Sequence, residues 1–177
     1  ELGQDGVVSG TDVEVEGELI VNNGVMMGNQ LQITGGEVEN TGVLEGKEGF
    51  MLDVTSLVHR GQIGTGSDLT LRLDEFEQKG GVDVGGDLLV AVDNWENEGV
   101  VRVGGTFKSE GDSFMNRDTV VGQSVDVTAD RFENEGMMAS KGSLHVEAED
   151  GQNTGVLQSE AEQRIASVVF VNEGVMQ

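Results

Sequence analysis

The sequence predicts an all-β fold: a parallel β-helix of about nine coils, each 18 or 19 residues long and each carrying three short strands. Three observations predict it. A short turn, ending in Gly in nearly every case, recurs at that period along the whole chain. Apolar residues keep fixed columns inside the period. The length variation between repeats is confined to one place.

The turn comes first. Val21-Asn22-Asn23-Gly24, Glu39-Asn40-Thr41-Gly42, Val58-His59-Arg60-Gly61, Glu77-Gln78-Lys79-Gly80, Glu96-Asn97-Glu98-Gly99, Met115-Asn116-Arg117-Asp118, Glu133-Asn134-Glu135-Gly136, Gln152-Asn153-Thr154-Gly155 and Val171-Asn172-Glu173-Gly174 end 18 or 19 residues apart. A single repeat domain over residues 1–177 follows, with turns near 24, 42, 61, 80, 99, 118, 136, 155 and 174. Glycine suits a corner with φ > 0, which assigns that conformation to Gly24, Gly42, Gly61, Gly99, Gly136, Gly155 and Gly174. Asn two residues earlier tolerates a left-handed backbone and bonds locally. Stacked one coil apart, Asn22 with Asn40, and Asn134 with Asn153 and Asn172, are also placed for an amide ladder. Asn97 holds the same turn position.

The first strand follows the turn. An apolar residue stands two positions after each turn's last residue, as at Val8, Met26, Leu44, Ile63, Val82, Val101, Val120, Met138, Leu157 and Met176. Of the pairs Met26/Met27 and Met137/Met138, one Met of each should be buried.

The second strand is an alternating triplet, such as Leu69/Leu71/Leu73, Leu88/Val90/Val92 or Leu144/Val146/Ala148, the period-2 mark of a strand with one buried face. The third carries a bulky column before the Asn: Val38, Leu57, Phe76, Trp95, Phe114, Phe132 and Phe170. Phe76, Trp95, Phe114, Phe132 and Phe170 form the predicted core stack, so Trp95 is read as core before it is read as a sugar platform. In all three 18-residue repeats the missing residue falls between the first and second strands. A helix would change phase on such a loss; a stack of strands would not.

Composition fits this architecture and excludes others. A low hydrophobic fraction of 36% with a net charge of -23 leans toward disorder when taken alone, and alignment of the apolar residues in columns reverses that reading. No Pro interrupts the ladders. The acidity and the absence of a basic cluster exclude nucleic-acid phosphate as a partner. Zero Cys removes a disulfide framework and a thiol nucleophile. No apolar run is long enough for membrane insertion. The chain opens on Glu1 and reads as a piece of a longer protein.

No catalytic, cofactor-binding or metal-ligating set is predicted. His59 stands in the Asn turn position and His145 is an outward strand residue, neither with a Ser, Cys or ligand partner at useful spacing. Asp68 and Asp87 are stacked carboxylates with Asp83 on a neighbouring strand, an arrangement suited in principle to acid–base work or Ca²⁺. The nearly constant repeat length leaves no loop insertion to build a cleft around them. The least regular coil runs from Gly99 to Asp118, where the triplet reads Phe107, Ser109, Gly111 and Asp118 replaces the turn Gly. Phe107, Asp112 and Asp118 are therefore the candidate partner-binding coil.

The run Leu-x-Val-x-x-x-x-Phe-x-Asn-x-Gly-x-Met/Val is clearest from Val125-Asp126-Val127 to Phe132-Glu133-Asn134-Glu135-Gly136-Met137-Met138, and from Leu88-Leu89-Val90 to Trp95-Glu96-Asn97-Glu98-Gly99-Val100-Val101. It resembles the haemagglutinin repeats of the filamentous haemagglutinin family over nearly the whole chain. The resemblance implies a right-handed coil and a shaft segment of a two-partner-secretion exoprotein, either an adhesin or the stalk of a contact-dependent growth-inhibition toxin. It further implies a secreted or bacterial cell-surface location and an outer-membrane transporter as partner of the full-length protein. The amino-terminal secretion domain of that family is not evident in these residues. A structural shaft is the expected role, and a module that recognises a cell-surface receptor or glycan is the alternative.

Overall fold

The computed structural model describes residues 1–177, which form strands joined by short turns and bends, with no helix. In the first three coils the chain stays extended around almost the whole circuit: β1 (Val7–Asn22), β2 (Val25–Asn40) and β3 (Val43–His59). Later coils divide into a short strand and a long one. The short strands are β4 (Gln62–Thr65), β6 (Gly81–Val84), β8 (Val100–Val103), β10 (Thr119–Gly122), β12 (Met137–Ser140), β14 (Val156–Ser159) and β16 (Val175–Met176). The long strands are β5 (Leu69–Gln78), β7 (Leu88–Asn97), β9 (Thr106–Asn116), β11 (Ser124–Asn134), β13 (Ser143–Asn153) and β15 (Glu162–Asn172).

Every strand pair is parallel and joins equivalent positions of successive coils. β3 pairs with both β4 and β5, so the long-strand ladder and the short-strand ladder belong to one continuous sheet wound into an all-β parallel solenoid of about nine turns.

The second and third predicted strands are one strand in the structure. Along β7, Leu88, Val90 and Val92 point inward, Asp93 and Asn94 are both exposed, and Trp95 and Asn97 point inward again. Two consecutive outward residues shift the inward phase by one, which turns the chain through a corner without breaking its ladder. The odd residue of the longer coils lies where the spacing places it: Gly28 pairs with Gly46 but Gln30 with Gly49.

The interior is one cluster of 36 buried apolar side chains. Each first-strand column residue from Met26 to Leu157 is buried, while Val8 and Met176 in the end coils are not. Met26 and Met138 are the buried members of their pairs. The aromatic column packs as predicted over four coils. Phe76 stacks on Trp95 with ring centres 5.5 Å apart, Trp95 meets Phe114 edge-on at 5.1 Å, and Phe114 stacks on Phe132 at 5.8 Å. The column then breaks, because Gly151 stands between Phe132 and Phe170. A Cβ at Gly151 would meet the Phe170 ring, so this ring leans into the space the glycine leaves.

The turn glycines require a different explanation from the one the sequence suggested. None has positive φ; Gly35, at 142°, is the one residue that does. Their constraint is the coil beneath. A Cβ on Gly42 would run into the carbonyl oxygen of Gly24, one on Gly61 into that of Gly42, and one on Gly136 into that of Asp118. The turn Asn residues likewise sit on extended backbone, with no left-handed φ among them.

Candidate functional site

The most ordered polar feature is a file of amides inside the rod. Asn22, Asn40, Asn97, Asn116, Asn134 and Asn153 are all 0% exposed. Each is the last inward residue of its strand, and the following turn closes over it. A buried amide without partners costs several kcal/mol, roughly 2–7 by transfer, so these side chains persist only because neighbouring coils satisfy them. The Nδ2 of Asn97 donates to Asn116 Oδ1, Asn116 to Asn134, Asn134 to Asn153 and Asn153 to Asn172, each at 2.7 Å. Asn134 Nδ2 also lies 3.2 Å from the carbonyl oxygens of Gly136 in its own turn and Val156 in the next coil. Asn172, in the last coil, is exposed.

A second, shorter file begins at Asn22, which donates to Asn40 at 2.8 Å. Asn40 Nδ2 then approaches His59 Nδ1 at 2.9 Å, and His59 Nε2 lies 3.0 Å from the Gly81 carbonyl. An amide NH₂ can only donate and a carbonyl can only accept, so the imidazole is neutral with its proton on Nε2. Burial lowers the His59 pKa to about 4, against a smaller opposing pull from the hydrogen bond to Gly81. Gln78 ends the file. One methylene longer than Asn, it folds its Nε2 back onto Gly80 O at 2.8 Å, and its Oε1 is buried without a partner.

Both files start alike. Asn22 Oδ1 accepts from Gly24 N–H at 3.2 Å and Asn97 Oδ1 from Gly99 N–H at 3.3 Å, so the oxygen that no previous amide reaches is capped by its own turn. The roles of Asn116, His59 and Gln78 in this file were visible as column positions, but their chemistry was not. Whether an amide reaches its neighbour depends on a few tenths of an ångström.

On the outside of the same turns runs a row of ion pairs. Lys79 Nζ lies 3.1 Å from both Glu77 and Glu98, and these hydrogen bonds raise its pKa. Arg117 reaches Glu96, Glu98 and Glu135. The like-charged neighbours Glu77 and Glu96 are thus each paired with a cation, Glu77 with Arg60 and Lys79 and Glu96 with Arg117. Being exposed, such pairs contribute little to stability.

The remaining candidate residues have structural partners. Asp68 Oδ1 accepts Asp87 N–H at 2.8 Å, and Asp87 Oδ1 accepts Thr106 N–H at 2.7 Å, so both carboxylates cap the corner of the next coil. Asp83 pairs with Arg102 at 3.5 Å. His145 Nδ1 lies 3.5 Å from Asp126. No three His, Cys, Asp or Glu side chains are grouped so as to hold a metal ion.

The Gly99–Asp118 coil keeps the same two strands, β8 and β9, as its neighbours. Phe107 is 0% exposed and packs 5.3 Å from Trp95, so it has no surface to offer a partner. Asp112 is exposed and Asp118 half-buried. Asp118 is accommodated in its turn: Thr119 N–H still reaches Gly99 O at 3.3 Å, as Val100 N–H reaches Gly80 O at 3.2 Å in the coil before, and Asp118 O accepts Met137 N–H at 2.7 Å.

A surface depression of about 460 Å³ is open and acidic, with Asp12, Glu14, Glu48 and Asp68 on its wall. No family model, curated protein or solved structure matches the chain. What its own geometry establishes is a parallel β-solenoid whose coils are tied along the axis by backbone, amide and ionic ladders.

Proposed function

We propose that this chain is a structural shaft segment of a secreted or surface-displayed bacterial exoprotein of the filamentous-haemagglutinin kind, an adhesin or a toxin-delivery protein. In that setting an outer-membrane transporter is the export partner of the full-length protein. The observation that carries the reading is the uniformity of the coils. The ladders repeat in register from β1 to β16, and no loop insertion interrupts them to make a cleft. Each added coil extends such a rod by ~4.8 Å, so the length of the repeat array sets how far a terminal domain stands from the cell.

A binding screen of the chain against host-cell surfaces and glycan arrays tests the proposal. The expected result is no saturable binding. Saturable binding abolished by Asp112→Ala or Asp118→Ala would replace the shaft with a receptor- or glycan-recognising module centred on the Gly99–Asp118 coil.

A further inference from the structure

The net charge of -23 is distributed very unevenly around the rod. The outer face of the short strands, together with the matching stretches of β1, β2 and β3, carries only Glu45, Asp83 and Arg102, and the last two neutralise each other. Its outward column next to the turn is apolar in two runs, Val7, Val25 and Val43 at one end and Met137, Val156 and Val175 at the other, with Val100 between them and the uncharged Gln62, Gly81 and Thr119 filling the remaining coils; Val7, Met137 and Val175 are exposed and the other apolar members half-buried. The acidic residues crowd onto the other two faces. At the corner within the long strands Asp74, Asp93, Asp112, Asp130 and Glu149 are exposed and stack in register on five successive coils.

We infer that the short-strand face is a lateral interface, and that its occupant is the same face of a second copy of this chain. Charge decides the occupant. Either of the chain's own acidic faces laid on this strip would bury carboxylates against a face whose one cation, Arg102, is already paired with Asp83, which is strongly unfavourable. The strip laid on itself buries β-branched and Met side chains and turns both acidic faces to solvent. Such self-complementary contact is the isologous arrangement of a two-fold dimer.

Area sets the strength. About nine coils at ~4.8 Å, with four strand residues at ~3.3 Å each, give a strip on the order of 500 Å² per copy. Two copies together bury on the order of 1,000 Å², the lower bound of specific interfaces. Association is therefore weak for this length and strengthens with every coil added to the array. Screening of the residual repulsion between acidic faces makes it stronger at high salt.

Sedimentation equilibrium of the intact chain tests the inference. The expected result is a mass that rises toward the dimer between ~10 µM and ~1 mM protein, further at 0.5 M than at 0.1 M salt. Val100→Lys and Val156→Lys, which add a charge to the strip, should weaken association at least tenfold with an unchanged circular dichroism spectrum. Val58→Lys, on the outer side of the end of β3 that pairs with the long strand β5, should leave it within twofold. Because the chain has no Cys, single-cysteine variants give a second readout that does not depend on tolerating a lysine. Val100→Cys should form a disulfide-linked dimer under mild oxidation and Asp93→Cys should not. A monomer at every concentration and salt overturns the inference. So does association that both strip lysines leave unchanged, which would mean end-to-end stacking, or equal cross-linking of the two cysteine variants.

Discussion

The imidazole of His59 stands in for an amide inside the rod, accepting a hydrogen bond from Asn40 Nδ2 at 2.9 Å on one side while donating to the coil above on the other. Protonation would set a second N–H against the Asn40 donor with nothing to accept it. The folded pKa of about 4 lies below the ordinary 6.5, so the unfolded chain binds the proton more readily. Stability contributed by the neutral ring is complete above pH ~6.5 and is lost as pH falls toward ~4, on the order of 3 kcal/mol in all. The difference in urea unfolding free energy between pH 7 and pH 4.5 should therefore be larger in the wild type than in His59→Asn by ~2–3 kcal/mol. Equal pH dependence in the two proteins would show that the ring does not carry this term.

The amide file should be worth most in its middle. Asn134→Ala removes the donor to Asn153, Gly136 and Val156, leaves Asn153 Oδ1 without its amide partner, and takes from Asn116 Nδ2 its shortest acceptor, so that Asn116 keeps only the Asp118 and Met137 carbonyls at 3.2 Å. Leaving buried polar groups unpaired costs roughly 1–3 kcal/mol apiece, so a loss of ~3 kcal/mol is expected. Asn172→Ala, at the exposed end, should cost under ~1 kcal/mol by the same reasoning. Denaturant titration of both variants gives the comparison, and equal losses would contradict the file as a source of stability.

Trp95 contributes its rings but not its N–H, because Nε1 is buried without a partner. Trp95→Phe deletes an unpaired donor while keeping an aromatic between Phe76 and Phe114. Its stability should remain within ~1 kcal/mol of wild type, whereas Trp95→Ala should lose ~3–5 kcal/mol through the cavity it opens. A large loss in the Phe variant would mean that the indole N–H has a partner in solution.

Two substitutions separate the explanations of the turn glycines. Where a positive φ is the requirement, Asn replaces Gly at less cost than Ala does. At Gly136 the obstacle is the carbonyl of Asp118, which any Cβ meets. Gly136→Asn and Gly136→Ala should therefore be destabilised alike, by ~2–4 kcal/mol. A clear advantage for Asn in thermal unfolding would restore the conformational explanation.

Much of this molecule was legible in its sequence, because a solenoid turns long-range contacts into a short period. Asn97 and Asn116 are 19 residues apart and touch, and so do Trp95 and Phe114. Column position alone thus placed the core stack from Phe76 to Phe132, though not its break before Phe170, together with the corner that gains or loses a residue and part of the amide ladder. The sequence also held the alternation of Lys79, Glu98, Arg117 and Glu135 that the structure turns into ion pairs. Only the tertiary structure decided matters of distance between coils. It showed that Gly42 and Gly136 are required by the carbonyl below and not by φ, and that Gln78 is too long to hand the ladder on. It also showed that Asp68 and Asp87 serve backbone N–H groups of the next coil, and that Phe107 fills the core of a coil that looked irregular. The physical reason is the same in each case. Periodicity tells which residues stack, but what stacked residues do depends on how closely two backbones approach and where a polar atom ends.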